Sequence, residues 1–562
     1  MKTGNATLAI YGIRDIEDKE YPVLIHDHNL TLFRNGKVEK HLQLERVTRR
    51  KYDYRFPRLL YELLAEEKLL KERNLDLVFV DHMMGRSFQN NEGNIRFEAP
   101  LNYSLSIYPE KGRAYFMGEE LDGYAVNHEL AHVFSNLPFW GPFKENSLHI
   151  HFDGGASKSN FSAWVFRNGK MQLHSYHWDL KYLSALYNAN ALNFGIIGTK
   201  QKDQNSLPGK FMGFASYGRY DKELEEWLKA HDFFQSIWKN KSVFFKEVQK
   251  EWNIELHSFD QKNRFIQDVA ATVQSFFERE LHQHLQRLQA ETGTDYLYYS
   301  GGSALNIKAN TMLVNRDLFR EVYIPPCTND SGLSIGAGAL VEWLKHGSVE
   351  QEGPYLNNWG LDNEPVSYNK EDIEYTARLL MERNVIGVCN GPGESGPRAL
   401  GNRSILALAD SGELARYVSM RLKGREWYRP VAPVMLQRNL EYFTGKKGPC
   451  PLARFMLMDF TVLPEKQQEL EGVVHVDGTS RIQTLESREA NPFLFDLLTC
   501  LDEHYAIRAL INTSFNAKGR PIVHTLHDAQ KEASEMGIHY IVVQGKLMEV
   551  TPEKGTGNGL NP

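Results

Sequence analysis

The pentapeptide Phe-Arg-Asn-Gly-Lys occurs twice in this chain, at Phe33–Lys37 and again at Phe166–Lys170. Asn-Gly accepts positive φ at both central positions of a tight turn, the geometry that joins two antiparallel strands. Each copy therefore predicts a β-hairpin. Upstream of each lies a short apolar run ending in an aspartate, Tyr21–Asp27 before the first and Leu148–Asp153 before the second. A strand that delivers a carboxylate, then a hairpin, met twice in one chain, predicts an internal duplication.

Working outward, Leu77–Asp81 and Tyr296–Ser300 also read as strands, with amphipathic stretches between them. In Arg264–Leu288 the residues Ile266, Val269, Val273, Phe276, Phe277, Leu281, Leu285 and Leu288 recur at helical spacing, as on a core-facing helix. This alternation predicts an α/β fold over residues 1–355, with the duplicated actin/sugar-kinase-like (ASKHA-like) arrangement. Residues 356–367 lie in a stretch rich in Gly, Pro and Asn and read as a linker. Beyond it, Lys370–Asn384 is helical in pattern and opens a second α/β unit, 368–562. The polar tail Pro552–Pro562 reads as frayed.

Composition narrows the function classes. With 562 residues the chain can hold two or more full cores. Lys and Arg number 65 against 71 Asp and Glu, a formal charge of −6. Such a balance supplies no field for a nucleic-acid backbone, so a bound phosphate must meet a local cluster and no nucleic-acid partner is expected. The four cysteines, Cys327, Cys389, Cys450 and Cys500, form neither a CxxC motif nor a disulfide framework, which predicts a reduced, cytoplasmic setting. The N-terminal stretch lacks a signal-peptide core, and no apolar run approaches the roughly 18 residues needed to span a bilayer; no membrane partner is expected.

Several constellations carry chemistry. Asn127-His128-Glu129-Leu130-Ala131-His132 holds His-Glu-x-x-His, which on a helix places both imidazoles on one face. It reads as a zinc-protease motif with Glu129 as base, as part of another metal centre, or as two helix histidines without metal. Asp153 and Asp330 favour the second: in a duplicated ATPase fold such aspartates converge on the cleft between the halves. Two histidines and two carboxylates suit Fe²⁺, Mn²⁺ or Zn²⁺ better than Mg²⁺. On local grounds Asp330 reads equally as the N-cap of a helix over 331–344. Gly301 and Gly302, with Asn306, follow a strand and suit either a phosphate approach at a helix N-terminus or a tight turn. Lys210 sits in a glycine-punctuated stretch, Gly209–Gly218, read as a loop. The densest signal is C-terminal: Arg398, Arg403, Lys423, Arg425, Arg429 and Arg481 stand among glycines and prolines, with Asn512 and Ser514 nearby. Clustered guanidinium groups suit bidentate capture of phosphate and carbamoyl oxygens; the alternative is a structural salt-bridge network.

With those residues in hand, the chain resembles the NodU/CmcH-type O-carbamoyltransferases. Matching segments run from Leu44–Asp53 through the His128/His132 helix, Gly209–Gly218, Gly301–Asn306 and Pro325–Gly338 to Gly393–Leu406, Lys423–Pro433, His475–Thr484 and Ile511–Val523. The resemblance implies a Kae-like N-terminal domain and a YrdC-like C-terminal domain. The latter would join carbamoyl phosphate and ATP, the ATP with its Mg²⁺, into carbamoyl adenylate. The former would pass the carbamoyl group to a hydroxyl of a small-molecule, natural-product acceptor. By motif, His128, His132, Asp153 and Asp330 would hold a divalent metal, Fe²⁺ foremost. Lys423, Arg425, Arg429, Arg398, Arg403, Asn512 and Ser514 would hold carbamoyl phosphate and nucleotide phosphates, with Arg398 acting in adenylate formation and His132 in transfer. Asp27 is the candidate to position or deprotonate the acceptor. A homodimer is the expected assembly. Two pockets are expected, guanidinium-lined behind and imidazole–carboxylate-lined in front, with an activated intermediate passing between them. Three departures from the family pattern bear on the acceptor: Asn127 where many members have His, Gly-Gly-Ala-Ser after Asp153, and an acidic start. A tRNA threonylcarbamoyladenosine factor would want a basic stripe, and a hydrogenase-maturation enzyme would want CxxC zinc fingers; this chain has neither.

Overall fold

Both Phe-Arg-Asn-Gly-Lys copies turn hairpins. In the computed structural model, Asn35 and Gly36 lie at φ 53° and 78°, and Asn168 and Gly169 at 54° and 67°, as an Asn-Gly hairpin turn requires. The structure describes residues 6–13, 25–72, 74–100, 104–193, 205–236, 241–362 and 364–552. The first hairpin belongs to a sheet of eight strands: β1 (Ala6–Tyr11), β2 (Asn29–Arg34), β3 (Lys37–Gln43), β4 (Leu75–Val80), β5 (Phe88–Gln89), β6 (Ile95–Glu98), β7 (Glu110–Phe116) and β8 (Glu119–Val126). Their order is β3-β2-β1-β4-β8-β7-β6-β5. The second hairpin lies in a five-stranded sheet of β9 (Ser147–Phe152), β10 (Phe161–Arg167), β11 (Lys170–His177), β12 (Tyr296–Ser300) and β13 (Glu321–Tyr323), ordered β11-β10-β9-β12-β13.

Laid side by side, the two sheets repeat one plan. A three-stranded antiparallel meander is followed by two strands parallel to its first member, β4 and β8 on β1, β12 and β13 on β9. Each hairpin carries a register shift, opposite Leu32/Phe33 and opposite Ala163/Trp164, where the second strand holds one extra residue. The plan agrees with the duplicated, actin-like arrangement, but it changes which residues correspond. β1 corresponds to β9 in this plan, so the position matching Asp153, directly after β9, is Gly12. Asp27 instead stands two residues before β2, at φ 56° in irregular backbone. The expected strand Tyr21–Asp27 is therefore not formed over 25–27, and its remainder falls outside the described residues, as does most of the acidic start and nearly all of the tail.

The helix Arg264–Thr292 covers one face of the second sheet, its N-terminus capped by Asn263 and its C-terminus by Gly293 in the left-handed region. Phe277, Leu281 and Leu285 pack with Phe152 and Phe161, each fully buried side chain contributing about 1.5–3 kcal/mol. Between the two sheets lies the helix Leu333–His346. Gly336 lets it approach the helix His128–Phe134 backbone to backbone: a Cβ there would stand 1.7 Å from the Ala131 carbonyl oxygen.

The C-terminal part builds a seven-stranded mixed sheet from β14 (Ile386–Cys389), β15 (Arg403–Leu408), β16 (Ala432–Leu436), β19 (Gln483–Leu485), β20 (Ala509–Ser514), β21 (Tyr540–Val543) and β22 (Lys546–Glu549), with β17 (Phe460–Thr461) and β18 (Thr479–Ser480) as a separate ribbon. Capping boxes start the helices Lys370–Met381 and Leu526–Met536. Residues 356–362 are no free tether: Trp359 is fully buried, and Asn357 bridges His41 and Gly393. The N- and C-terminal parts share one core, in which Phe214 meets Tyr428 edge-on at 5.6 Å. Lys308 pairs with Asp459 and Asp477, each at 2.7 Å, and Asn310 donates to the Leu457 carbonyl. Among the described residues no helix is long and apolar enough to cross a membrane.

Three buried histidines give the fold an acid-sensitive character. Burial pushes His41 and His149 down to about 3 and His524 to about 4. Each stays neutral in the fold but takes up a proton on unfolding once pH drops below the ordinary value near 6.5. Stability is then full above about pH 6.5 and falls toward pH 4, by up to about 1.4 kcal/mol per pH unit per histidine. Thermal melts at pH 7, 6 and 5 should show a steadily falling Tm; a constant or rising Tm would contradict this account.

Candidate active site

The helix His128–Phe134 begins one residue after β8, and its first and fifth residues project side by side. His128 and His132 are fully buried, their Nε2 atoms 3.1 Å apart. Asp330, in the turn that opens the helix Leu333–His346, places Oδ1 3.5 Å from each Nε2. Its Oδ2 accepts the Tyr11 hydroxyl at 3.0 Å from the end of β1. The carboxylate is committed to these partners and caps no helix, so the N-cap reading of Asp330 is replaced by the cluster. Asp153, at the end of β9, brings Oδ2 to 3.4 Å from His132 Nε2 and accepts the Gly302 N–H at 2.6 Å.

Electrostatics within the cluster are strong. Burial alone would lower His132, but hydrogen bonds and charge from Asp153 and Asp330 outweigh it and hold the imidazole up to about 9. Burial alone would raise Asp330, but His128 and His132 hold it well below the usual carboxylate range. His128, His132 and Asp330 each offer a ligand atom within 4.8 Å of the others, with Asp153 beside His132. Two nitrogen donors and one oxygen converge, with the Asp153 carboxylate at the edge beside His132, a donor set that fits a divalent first-row cation. Glu129 points elsewhere. Its Oε1 accepts the N–H groups of Lys158 and Ser159 at 2.6 and 2.9 Å, which removes it as a general base and the protease reading with it.

A cavity of about 570 Å³ opens on this cluster. Asp153, Asp330 and Asp27 line it, and so do Arg398, Lys423, Arg425, Arg429 and Ser514 from the C-terminal part. The expectation of two separate pockets is thus corrected: the carboxylates of the cluster and the cations of the C-terminal part line one continuous space. Burial and mutual repulsion push Arg398 down to about 10 and Arg425 to about 9, and Lys423 is lowered by burial and by Arg425 and Arg429. Cations crowded with so few acids are arranged for an anion. Glu426 contacts Arg429, Lys210 and Lys518 and is held down to about 2. Lys423 is anchored by donation to Ser514 Oγ at 3.2 Å and to the Asn516 carbonyl at 2.7 Å.

Other expected site residues divide. Lys210, Gly302 and Asn306 line the cavity, though Lys210 rides on the helix Leu207–Ala215 rather than a loop, and Asn306 caps the helix Ile307–Asn315. The glycine pair also shapes the turn after β12. Gly302 gives its N–H to Asp153, and Gly301, at φ 102°, lets the chain press against β9, where a Cβ would meet the Phe152 carbonyl at 2.2 Å. Arg403 turns inward and spends its guanidinium on the carbonyls of Asn390, Gly391, Asn402 and His524. Asn512 likewise donates to Ala399 and Gln483. Both hold the Arg398 loop instead of facing the cavity. Arg481 lies close enough to Arg398, Arg425 and Arg429 to feel their charge without lining the space. The sequence reading did not single out His26, Glu45, Tyr52, His82 or Lys518, all of which line the cavity. The Leu44–Asp53 segment was the available signal for two of them. Asp27 meets His26 Nδ1 at 3.0 Å, and burial pushes its carboxyl up.

Residues 21–339 match the family model of the carbamoyltransferase N-terminus, and residues 377–549 that of the carbamoyltransferase C-terminus. The chain belongs to the carbamoyltransferase family. This carbamoyltransferase is 26% identical to nodulation protein NolNO of Sinorhizobium fredii over 541 residues, covering 90% of this chain and 76% of that one. It is 32% identical to nodulation protein NolO of Bradyrhizobium diazoefficiens over 343 residues, 57% and 61% of the two chains. Nodulation protein U of Rhizobium tropici is 36% identical over 267 residues, 45% and 44%. These last two matches span less than two thirds of the relatives' own lengths. Among solved structures, full-length HypF in its phosphate- and nucleotide-bound form aligns with a TM-score of 0.34 and 12% identity, over 62% of this chain and 57% of that one.

Proposed function

We propose that this carbamoyltransferase is an ATP-dependent O-carbamoyltransferase that makes carbamoyl adenylate and transfers its carbamoyl group to a hydroxyl of a small-molecule acceptor, a natural product by the family resemblance. The observation that carries this reading is one cavity whose wall joins the crowded cations Arg398, Lys423 and Arg425 to the carboxylates of the imidazole–carboxylate cluster. In this reading 1–355 is the Kae-like transfer unit, 368–562 the YrdC-like adenylating unit, and the protein works in the cytoplasm as a homodimer.

Arg398, Arg425, Arg429 and Lys423 hold the phosphates of carbamoyl phosphate and ATP. Water cleaves carbamoyl phosphate to carbamate and inorganic phosphate; a carbamate oxygen then attacks the α-phosphorus of ATP and pyrophosphate leaves. The acceptor hydroxyl next attacks the carbamoyl carbon, AMP leaves, and the hydroxyl proton passes to Asp27, held in place by His26. His128, His132, Asp153 and Asp330 would hold a divalent ion, which supplies Lewis acidity beside the carbamoyl carbonyl when bound. The arginines offset charge growing on the departing phosphates. Enclosure orients the reactants and shields the mixed anhydride from bulk water.

Incubating the protein with ATP and carbamoyl phosphate should release pyrophosphate, with carbamoyl adenylate detectable by mass spectrometry. Pyrophosphate release that is absent, or indifferent to carbamoyl phosphate, would exclude this reading.

A further inference from the structure

Arg46 lies in the short helix Leu44–Thr48 directly after β3, in the first sheet, yet its side chain reaches the C-terminal part. It is 2% exposed and donates from Nη2 to the carbonyl oxygen of Gly396 at 2.8 Å. Gly396 stands two residues before Arg398, whose guanidinium lines the cavity. The buried charge is matched at a distance rather than by contact: the carboxylates of Glu45, 3.8 Å from Nε, and of Glu394 both act on it, while Nε has no hydrogen-bond partner. A buried cation with few direct contacts to its counter-charges is poor packing material, and an apolar side chain of similar length would fill the space at lower cost. Its one short hydrogen bond is therefore the feature to explain.

The loop that Arg46 grips is fixed elsewhere by its own residues. Glu394 Oε1 accepts the N–H groups of Leu400, Asn402 and Arg403 at 2.8, 2.8 and 3.0 Å, which ties the far end. On its other side Gly396, at φ 100°, presses on the segment leading to Asp330: a Cβ there would stand 2.2 Å from the Pro326 carbonyl oxygen. The Gly396 peptide is thus clamped between Arg46 and Pro326, and the stretch 397–399, with Arg398 at its centre, hangs from that clamp.

We infer that Arg46 is a positioning residue for the anion site: by holding the Gly396 carbonyl from across the interface, it sets the Arg398 guanidinium against the phosphate of the co-substrate. The inference rests on the function proposed above and extends it by giving the N-terminal part a share in building the C-terminal site.

The test uses full-chain Arg46→Met and Arg46→Lys, with pyrophosphate release followed against carbamoyl phosphate concentration. Misplacing a binding group by about an ångström costs on the order of 10- to 100-fold. Arg46→Met should raise KM for carbamoyl phosphate by that factor while the metal content of the purified protein stays at the wild-type level. Arg46→Lys, which still offers a donor to the same carbonyl, should recover part of the loss. A double variant, Arg46→Lys with Arg398→Lys, should lose less than the product of the single effects. Unchanged KM in Arg46→Met, or strictly multiplicative effects in the double variant, would overturn the inference. The Lys series carries the test if the Met variant does not fold. Failure of the wild-type protein to release pyrophosphate would count against the proposed function instead.

Discussion

Replacing Arg398 with alanine is expected to lower carbamoyl-phosphate-dependent pyrophosphate release by about 10²- to 10³-fold, the scale of losing one preorganised charge-stabilising donor. Arg398 shares the cavity wall with Lys423, Arg425 and Arg429, and its Nε has no protein partner. Its place in that wall puts the group where a ligand would meet it, and the repulsion among its neighbours is relieved when an anion arrives. Arg398→Lys should fall between wild type and Arg398→Ala, since lysine keeps the charge but loses the two-pronged fork. Removing one of several crowded buried cations also relieves repulsion, so the Ala variant should melt no lower than wild type. Wild-type turnover in Arg398→Ala would sink the assignment; a loss of turnover matched by a collapse in Tm would show a structural role instead.

The second large effect is expected at the other end of the cavity. His132→Ala should retain pyrophosphate release within about threefold yet lose carbamoyl transfer by about 10³-fold or more, together with the bound divalent ion. His132 is the residue that touches both aspartates, at 3.4 and 3.5 Å, and without it two buried carboxylates face one another across a gap. Elemental analysis of the purified variant reads the metal, and mass spectrometry over a panel of hydroxyl compounds reads the transfer as the gain of one carbamoyl unit. Equal loss of both half-reactions would erase the division of labour. A variant that keeps its ion and its transfer would remove His132 from the centre altogether.

How far the sequence reached depended on whether a feature is local. The two Asn-Gly turns were legible because positive φ at consecutive residues is demanded by four residues of chain. The His128/His132 pair was legible because helical spacing alone puts both rings on one face. Correspondence between the halves was not, because it depends on which strand comes first: Ala6–Tyr11 is the true partner of Ser147–Phe152, and pairing Asp27 with Asp153 skipped it. Arg398 and Arg403 sit five residues apart in one motif with the same chemistry. Only the entry of Arg403 into β15 turns it toward the backbone carbonyls of the core, and no local composition records that turn. The merging of two expected pockets into one depends on docking between distant segments, beyond what spacing along the chain encodes.

The shared core between the N- and C-terminal parts bears on how such an enzyme can be re-engineered. Phe214 against Tyr428 and Lys308 against Asp459 and Asp477 mean that neither part presents a finished outer face to solvent. A chimera that swaps one part for that of a relative, in search of a new acceptor, inherits a foreign seam. It will assemble only when residues on both sides of that seam travel together, so acceptor scope is better altered by point changes inside the chamber than by exchanging modules.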